Sequence, residues 1–158
     1  MRRSAAALQR ALCLAACVAL FATAGCHRAL EVTPRTLLDD GRADPMHAFS
    51  RYRGGVLSVE GLLVYRGMRP LDSRAGAWDG RTSKRGMEST HVPYMVLRDL
   101  AVPQSGVVVC YFTIDELDAV AAVPLNTHVK IRGKFQEYFS AQGEHAVALY
   151  ECELAGLR

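Results

Sequence analysis

The chain has 158 residues, enough for one domain with a real core, and carries 19 Lys and Arg against 16 Asp and Glu. Three of the basic residues and none of the acidic ones fall within the first 25 positions, which leaves 16 basic against 16 acidic side chains in the remainder. A balanced charge excludes any global pull toward nucleic acid, so such binding would have to rest on local patches.

Residues 1–25 read as an export signal. Arg2, Arg3 and Arg10 form a positive start, Ala11 to Ala22 is an uncharged apolar run too short to span a bilayer comfortably, and Thr23-Ala24-Gly25 are small residues leading into Cys26. This arrangement resembles a bacterial lipoprotein signal, in which the cysteine is acylated and becomes the mature N-terminus, with Thr23 where Leu is usual. The alternatives are an ordinary secretory signal or an uncleaved anchor. The resemblance implies a lipid-anchored protein of the cell envelope. His27 after the cysteine, where Asp would retain the protein, implies the outer membrane facing the periplasm if the source is Gram-negative.

Residues 26–43 mix Pro, Thr, Arg and Asp without a sustained period and are expected to be a tether. Asp39, Asp40 and Asp44 lack the spacing of a calcium loop, and Asp44-Pro45 is better read as an N-cap followed by proline at the first helical position. A helix over 45–52 would bury Ala48, Phe49 and Tyr52. The domain proper is expected over 44–158.

Val56 to Arg66 predicts a first strand with Leu57, Val59, Leu63 and Tyr65 on one face and Ser58 and Glu60 on the other; Gly61 marks a bulge or bend. Gly67 to Thr90 has no convincing period and predicts a long loop. Val92 to Arg98 predicts the second strand. The Val107–Phe112 run is short, β-branched and aromatic, and predicts the third. Ile114, Leu117, Val120 and Ala121 then recur at helical spacing, with Thr113 and Glu116 at a capping-box interval. From Thr127 the period becomes two: Val129, Ile131 and Phe135 against His128, Lys130, Arg132 and Lys134. Ser140 to Glu144 predicts a turn and His145 to Leu154 the last strand. The order β-β-β-α-β-β, with an extra N-terminal helix, is that of a mainly β protein, the five-stranded OB-fold barrel, ahead of an SH3-like barrel.

Several stretches then resemble the tRNA_anti-like OB-fold family, which includes many small bacterial lipoproteins of unknown function. They are Asp44, Ala48, Tyr52 and Gly54 around the first helix, Val59-Glu60-Gly61, Val109-Cys110-Tyr111-Phe112, Val129-Lys130-Ile131-Arg132-Gly133 and Glu151-Cys152-Glu153-Leu154. The likeness covers about residues 44 to 154, with Asp44 where the family usually has Asn and a longer loop after the first strand. It implies kinship with nucleic-acid-binding OB domains and leaves the ligand of this chain open.

Two basic groups are candidate binding residues. Arg66, Arg69, Arg74, Arg81, Lys84 and Arg85 lie with Trp78 in the loop region, a composition that grips single strands, anionic sugars or lipid headgroups by charge and stacking; the alternative is a merely hydrated loop. Lys130, Arg132 and Lys134 form a basic strand face, or else a solvated one that pairs with Glu60 across the ladder. Cys110 and Cys152 are either a disulfide in an oxidising compartment or two buried thiols. No G-x-S-x-G, H-E-x-x-H or C-x-x-C occurs, and His47, His91, His128 and His145 lie on separate elements, so no catalysis, cofactor or metal is expected. The expectation is a non-catalytic binding module whose partner is an anionic ligand or an envelope protein. A single-stranded nucleic-acid module and a structural role in envelope assembly are the alternatives.

Overall fold

The structure is a computed structural model and describes residues 29–70, 91–99, 101–102, 106–141 and 144–157. Thr33-Pro34 and Asp44-Pro45 each open a helix, because proline at the first helical position needs no N–H partner and the preceding side chain caps a free one. Thr33 accepts from the Thr36 N–H at 3.1 Å and Asp44 from the His47 N–H at 3.0 Å. The segment expected as a tether is thus largely folded. Leu30–Val32 is strand β1 and Pro34–Ala43 is helix α1, which buries Pro34, Leu37 and Leu38 at helical spacing. Its sequence, with two Arg, two Asp and a glycine, hides that stripe from composition, but packing selects it.

Helix α2 covers Pro45–Tyr52 as expected. Tyr52 donates to Asp40 Oδ2 at 2.5 Å and Arg51 reaches the same oxygen at 3.1 Å, which ties α2 to α1. Strand β2 is Val56–Pro70, four residues longer than the sequence predicts, and takes Gly67 and Arg69 out of the expected loop. Strands β3 and β4 are His91–Arg98 and Val107–Phe112. A 3-10 turn over Ile114–Glu116 leads into α3, Leu117–Ala122. The capping box is not made: the Thr113 hydroxyl is buried without a hydrogen-bond partner, and the Glu116 N–H bonds the Thr113 carbonyl at 3.0 Å. Strands β5, His128–Ala141, and β6, Glu144–Leu157, complete the chain.

The protein is mainly β, a single six-stranded mixed sheet in the order β1-β2-β3-β4-β6-β5, with β5 also bonded to β2. The bonding therefore runs in a ring through β2, β3, β4, β6 and β5, and β1 is an added parallel strand along β2. Six strands, not five, occur among the described residues, and the sequence pattern misses β1 because three residues are too few to show a period. Strand β2 is shared between partners: its first half pairs with β5 up to Leu62, and from Leu62 onward it pairs with β3. The register slips between Leu63 and Tyr65, so Tyr65 turns outward and is 52% exposed, instead of joining Leu57, Val59 and Leu63 inside.

Alternate residues of the strands fill the ring, with Leu63, Met95, Phe112, Ile131 and Leu149 fully or almost fully buried; Leu37, Leu38 and Tyr52 from the helices join this core. At Gly133 the β5–β6 register also slips, and a Cβ there would stand 2.6 Å from Cys152 Sγ, so only hydrogen fits. In this structure Cys110 and Cys152 are buried free thiols that share a hydrogen bond.

Candidate functional site

The sheet β3-β4-β6 is apolar on both faces. Every residue of β4 is buried: Val108, Cys110 and Phe112 point into the ring, and Val107, Val109 and Tyr111 belong to a second cluster outside it. That outer cluster is completed by Val92, Ala146, Ala148 and Tyr150, with Tyr94, Val96 and Phe139 partly buried against it. The cluster is itself buried, with Tyr111 5% and Tyr150 9% exposed, and it opens to solvent at Tyr65, 52% exposed, beside the half-buried Tyr94; that aromatic edge of the wall is the leading candidate for a contact site.

Four tyrosines cross the wall from strand to strand. Tyr65 on β2 lies 5.7 Å from Tyr94 on β3, Tyr94 lies 6.0 Å from Tyr111 on β4, and Tyr111 stacks on Tyr150 of β6 at 4.8 Å and 20°. Register brings them together: Tyr94 stands opposite Tyr111 on one side and opposite Gly67 on the other. Gly67 is part of the design, because a Cβ there would come 3.1 to 3.4 Å from the rings of Tyr65 and Tyr94. Each ring pair contributes about 0.5–1.5 kcal/mol beyond its buried area.

Arg69, two positions along from Gly67, supplies the charge. Its Nη1 donates to Tyr111 Oη at 2.7 Å, and its guanidinium carbon is 6.0 Å from the centre of the same ring. Burial, and then the hydrogen bond with Tyr65, push the Tyr94 phenol up from its ordinary value, with Arg69 pulling it down. Burial, then Tyr111 and Glu137, push Tyr150 up to about 12. Tyr94 and Tyr150 therefore hold their phenolic protons more firmly than free tyrosine, with the Arg69 guanidinium beside the row. The exposed edge of the row can stack on planar groups and hydrogen-bond to acceptors.

The sequence candidates separate in space. Arg69 is on the wall, whereas Arg66 lies in register with the inward Met95, on the other face of β2, with its Nη1 buried and without a hydrogen-bond partner. Arg74, Trp78, Arg81, Lys84 and Arg85 lie outside the described residues, as does Cys26. The basic row keeps its outward position, but Lys130 bonds Glu31 at 2.7 Å and Lys134 bonds Glu151 at 2.6 Å, with Glu60 opposite Lys130 in register. Two of its three charges are therefore already matched, which favours the solvated-face reading for them. Among the described residues Arg132 makes no ion pair. A shallow cleft of about 390 Å³ between β1 and α2 contains Arg51 and Lys134, both engaged by carboxylates. Among the described residues no group of three His, Cys, Asp or Glu is placed to hold a metal.

Composition around the loop arginines does not disclose the tyrosine row. A signal for it exists: once Met95, Cys110 and Leu149 are assigned inward, strand parity places Tyr94, Tyr111 and Tyr150 together on the outside.

Comparison with known proteins gives a likeness of fold. No family model matches the chain, and no curated protein matches it. Among solved structures, the chain is similar to a "putative nucleic acid-binding lipoprotein" from Klebsiella pneumoniae, with a TM-score of 0.57 and 16% identity, over 81% of this chain and 92% of that one.

Proposed function

We propose that this protein is a lipid-anchored component of a bacterial cell envelope whose single domain is an OB-fold barrel acting as a non-catalytic binding module. The ring order β2-β3-β4-β6-β5, closed by β5 on β2 and with a helix between β4 and β5, supports the barrel assignment. The Thr23-Ala24-Gly25-Cys26 sequence and the similar Klebsiella lipoprotein support the anchor. The observation that carries the binding reading is the tyrosine row with Arg69, which lies on the outer side of the sheet and opens to solvent at Tyr65.

A second reading, binding of single-stranded nucleic acid, is favoured by the row of rings beside a guanidinium and by the description of the Klebsiella protein. Stacking of a base on one aromatic side chain contributes about 1–3 kcal/mol, and phosphate contacts make binding salt-dependent.

Two measurements test these readings. A deletion strain supplied with the Tyr65→Ala, Arg69→Ala chain should behave as the deletion does; full complementation would remove the wall from the function. Titrating tyrosine-labelled protein with oligothymidylate should shift the Tyr65 and Tyr94 resonances, with affinity falling as salt rises. Unmoved resonances would exclude nucleic acid and leave a protein or other envelope ligand for the wall.

A further inference from the structure

A second outer surface lies where the chain enters the domain. Ala29, the first described residue, borders a cleft of about 320 Å³ lined also by Glu31, Ser58, Lys130, Arg132 and Ala155. Strand register builds it: Glu31 stands opposite Ser58 across β1 and β2, and Ser58 opposite Arg132 across β2 and β5. Ser58 is only 5% exposed, and its hydroxyl has no hydrogen-bond partner. A buried hydroxyl left unbonded is costly, so it marks a place where a ligand atom would be welcome.

Charge in the cleft is arranged to leave donors over. Glu31 is bonded to Lys130, and the neighbouring Glu151 to Lys134. Glu153 stands opposite Arg132 in register, and among the described residues the exposed Arg132 guanidinium makes no ion pair. The Arg132 guanidinium and the Ser58 hydroxyl line one cleft with the Glu31-paired Lys130, and guanidinium and hydroxyl are donors that a phosphate diester accepts. The face as a whole is close to neutral, so charge alone would not bring it to a membrane.

Chain length supplies what charge does not. Because residues 30–43 are folded onto the domain, only three residue steps separate Cys26 from Ala29, a reach of at most about 11 Å. The polar layer of a bilayer is about 5–8 Å thick on each side. We propose that the outer face of β1, β2, β5 and the end of β6 docks on the membrane, with the Ser58–Lys130–Arg132 cleft taking the phosphate of an anionic phospholipid headgroup. This rests on acylation of Cys26. It leaves the tyrosine wall, built on β3, β4 and the other halves of β2 and β6, away from the lipid.

The test uses the full acylated chain in vesicles of phosphatidylethanolamine with phosphatidylglycerol, spin-labelled at Gly156→Cys beside the cleft or at Tyr65→Cys on the wall. Gly156 faces open space and tolerates the label. A water-soluble nickel chelate should reach the label at 156 about fivefold less than the label at 65, and Arg132→Gln should abolish most of that shielding. Ser58→Ala should reduce it, and vesicles with neutral phosphatidylcholine in place of phosphatidylglycerol should remove it. Equal access at both labels, with the Cys26 peptide carrying its lipid by mass, would overturn docking and leave the anchor standing. An unacylated Cys26 overturns both. Shielding untouched by both variants, or tight capture of inorganic phosphate by the detergent-solubilised chain, would overturn the headgroup assignment.

Discussion

Gly133→Ala gives a sharp test of how β5 packs on β6. The added methyl would sit 2.6 Å from Cys152 Sγ, 3.2 Å from Leu149 Cβ and 3.3 Å from the Tyr150 carbonyl oxygen. Ordinary non-bonded contact needs about 3.5–4 Å, so something must move by about 1 Å. Sulfur cannot swing away easily, since Cys152 is 1% exposed and hydrogen-bonded to Cys110. Overpacking of this kind costs about 1–3 kcal/mol, which for a domain of this size lowers the melting midpoint by about 4–12 °C. The lower entropy of the unfolded chain favours alanine by about 0.4–1 kcal/mol, so a net loss measures the crowding after that offset. Thermal denaturation followed by circular dichroism is the assay. Cys152→Ala, which removes the obstructing sulfur, should restore most of the loss in the double variant, a coupling of about 1 kcal/mol or more. An unchanged midpoint for Gly133→Ala, or strictly additive losses, would refute the assigned strand register.

Removing the Tyr52 hydroxyl with Tyr52→Phe should cost about 1–2 kcal/mol, because its bond to Asp40 is charge-assisted and ties α2 to α1; chemical denaturation measures it, and no change would refute the tie. Burial, then the bond to Asp40, push the Tyr52 phenol from 10.0 up to about 12, so the folded state holds its proton where the unfolded chain has released it. The resulting stability is full below pH 10 and declines as pH rises toward 12, and denaturation midpoints taken across that window should fall. Cys152 is pushed well up by burial and by its hydrogen bond with Cys110, so neutral-pH maleimide should modify neither thiol before unfolding; rapid labelling of the native protein would contradict their burial. Lys134→Ala should alter stability by less than about 1 kcal/mol, because the pair with Glu151 is half exposed; a larger loss in a melting experiment would make that pair structural.

Local chemistry in the sequence determines most of the elements. Asp44-Pro45 starts α2, the β-branched run makes β4, and the alternation from Val129 to Phe135 sets which face of β5 turns inward; all three are read without knowing any partner. What a strand touches is another matter, since register depends on residues far apart in the chain. The β1 strand and α1 helix owe their existence to β2 and the core that Leu37 and Leu38 enter, so a composition resembling a tether becomes part of the fold. The slip after Leu63 turns Tyr65 outward, and β3, β4 and β6 then align three more tyrosines with it under Arg69. Ser58 and Arg132 likewise meet only because β2 and β5 pair. Sequence supplies the side chains and their alternation; ring closure decides which of them share a surface, because neighbours across strands are separated by tens of residues along the chain.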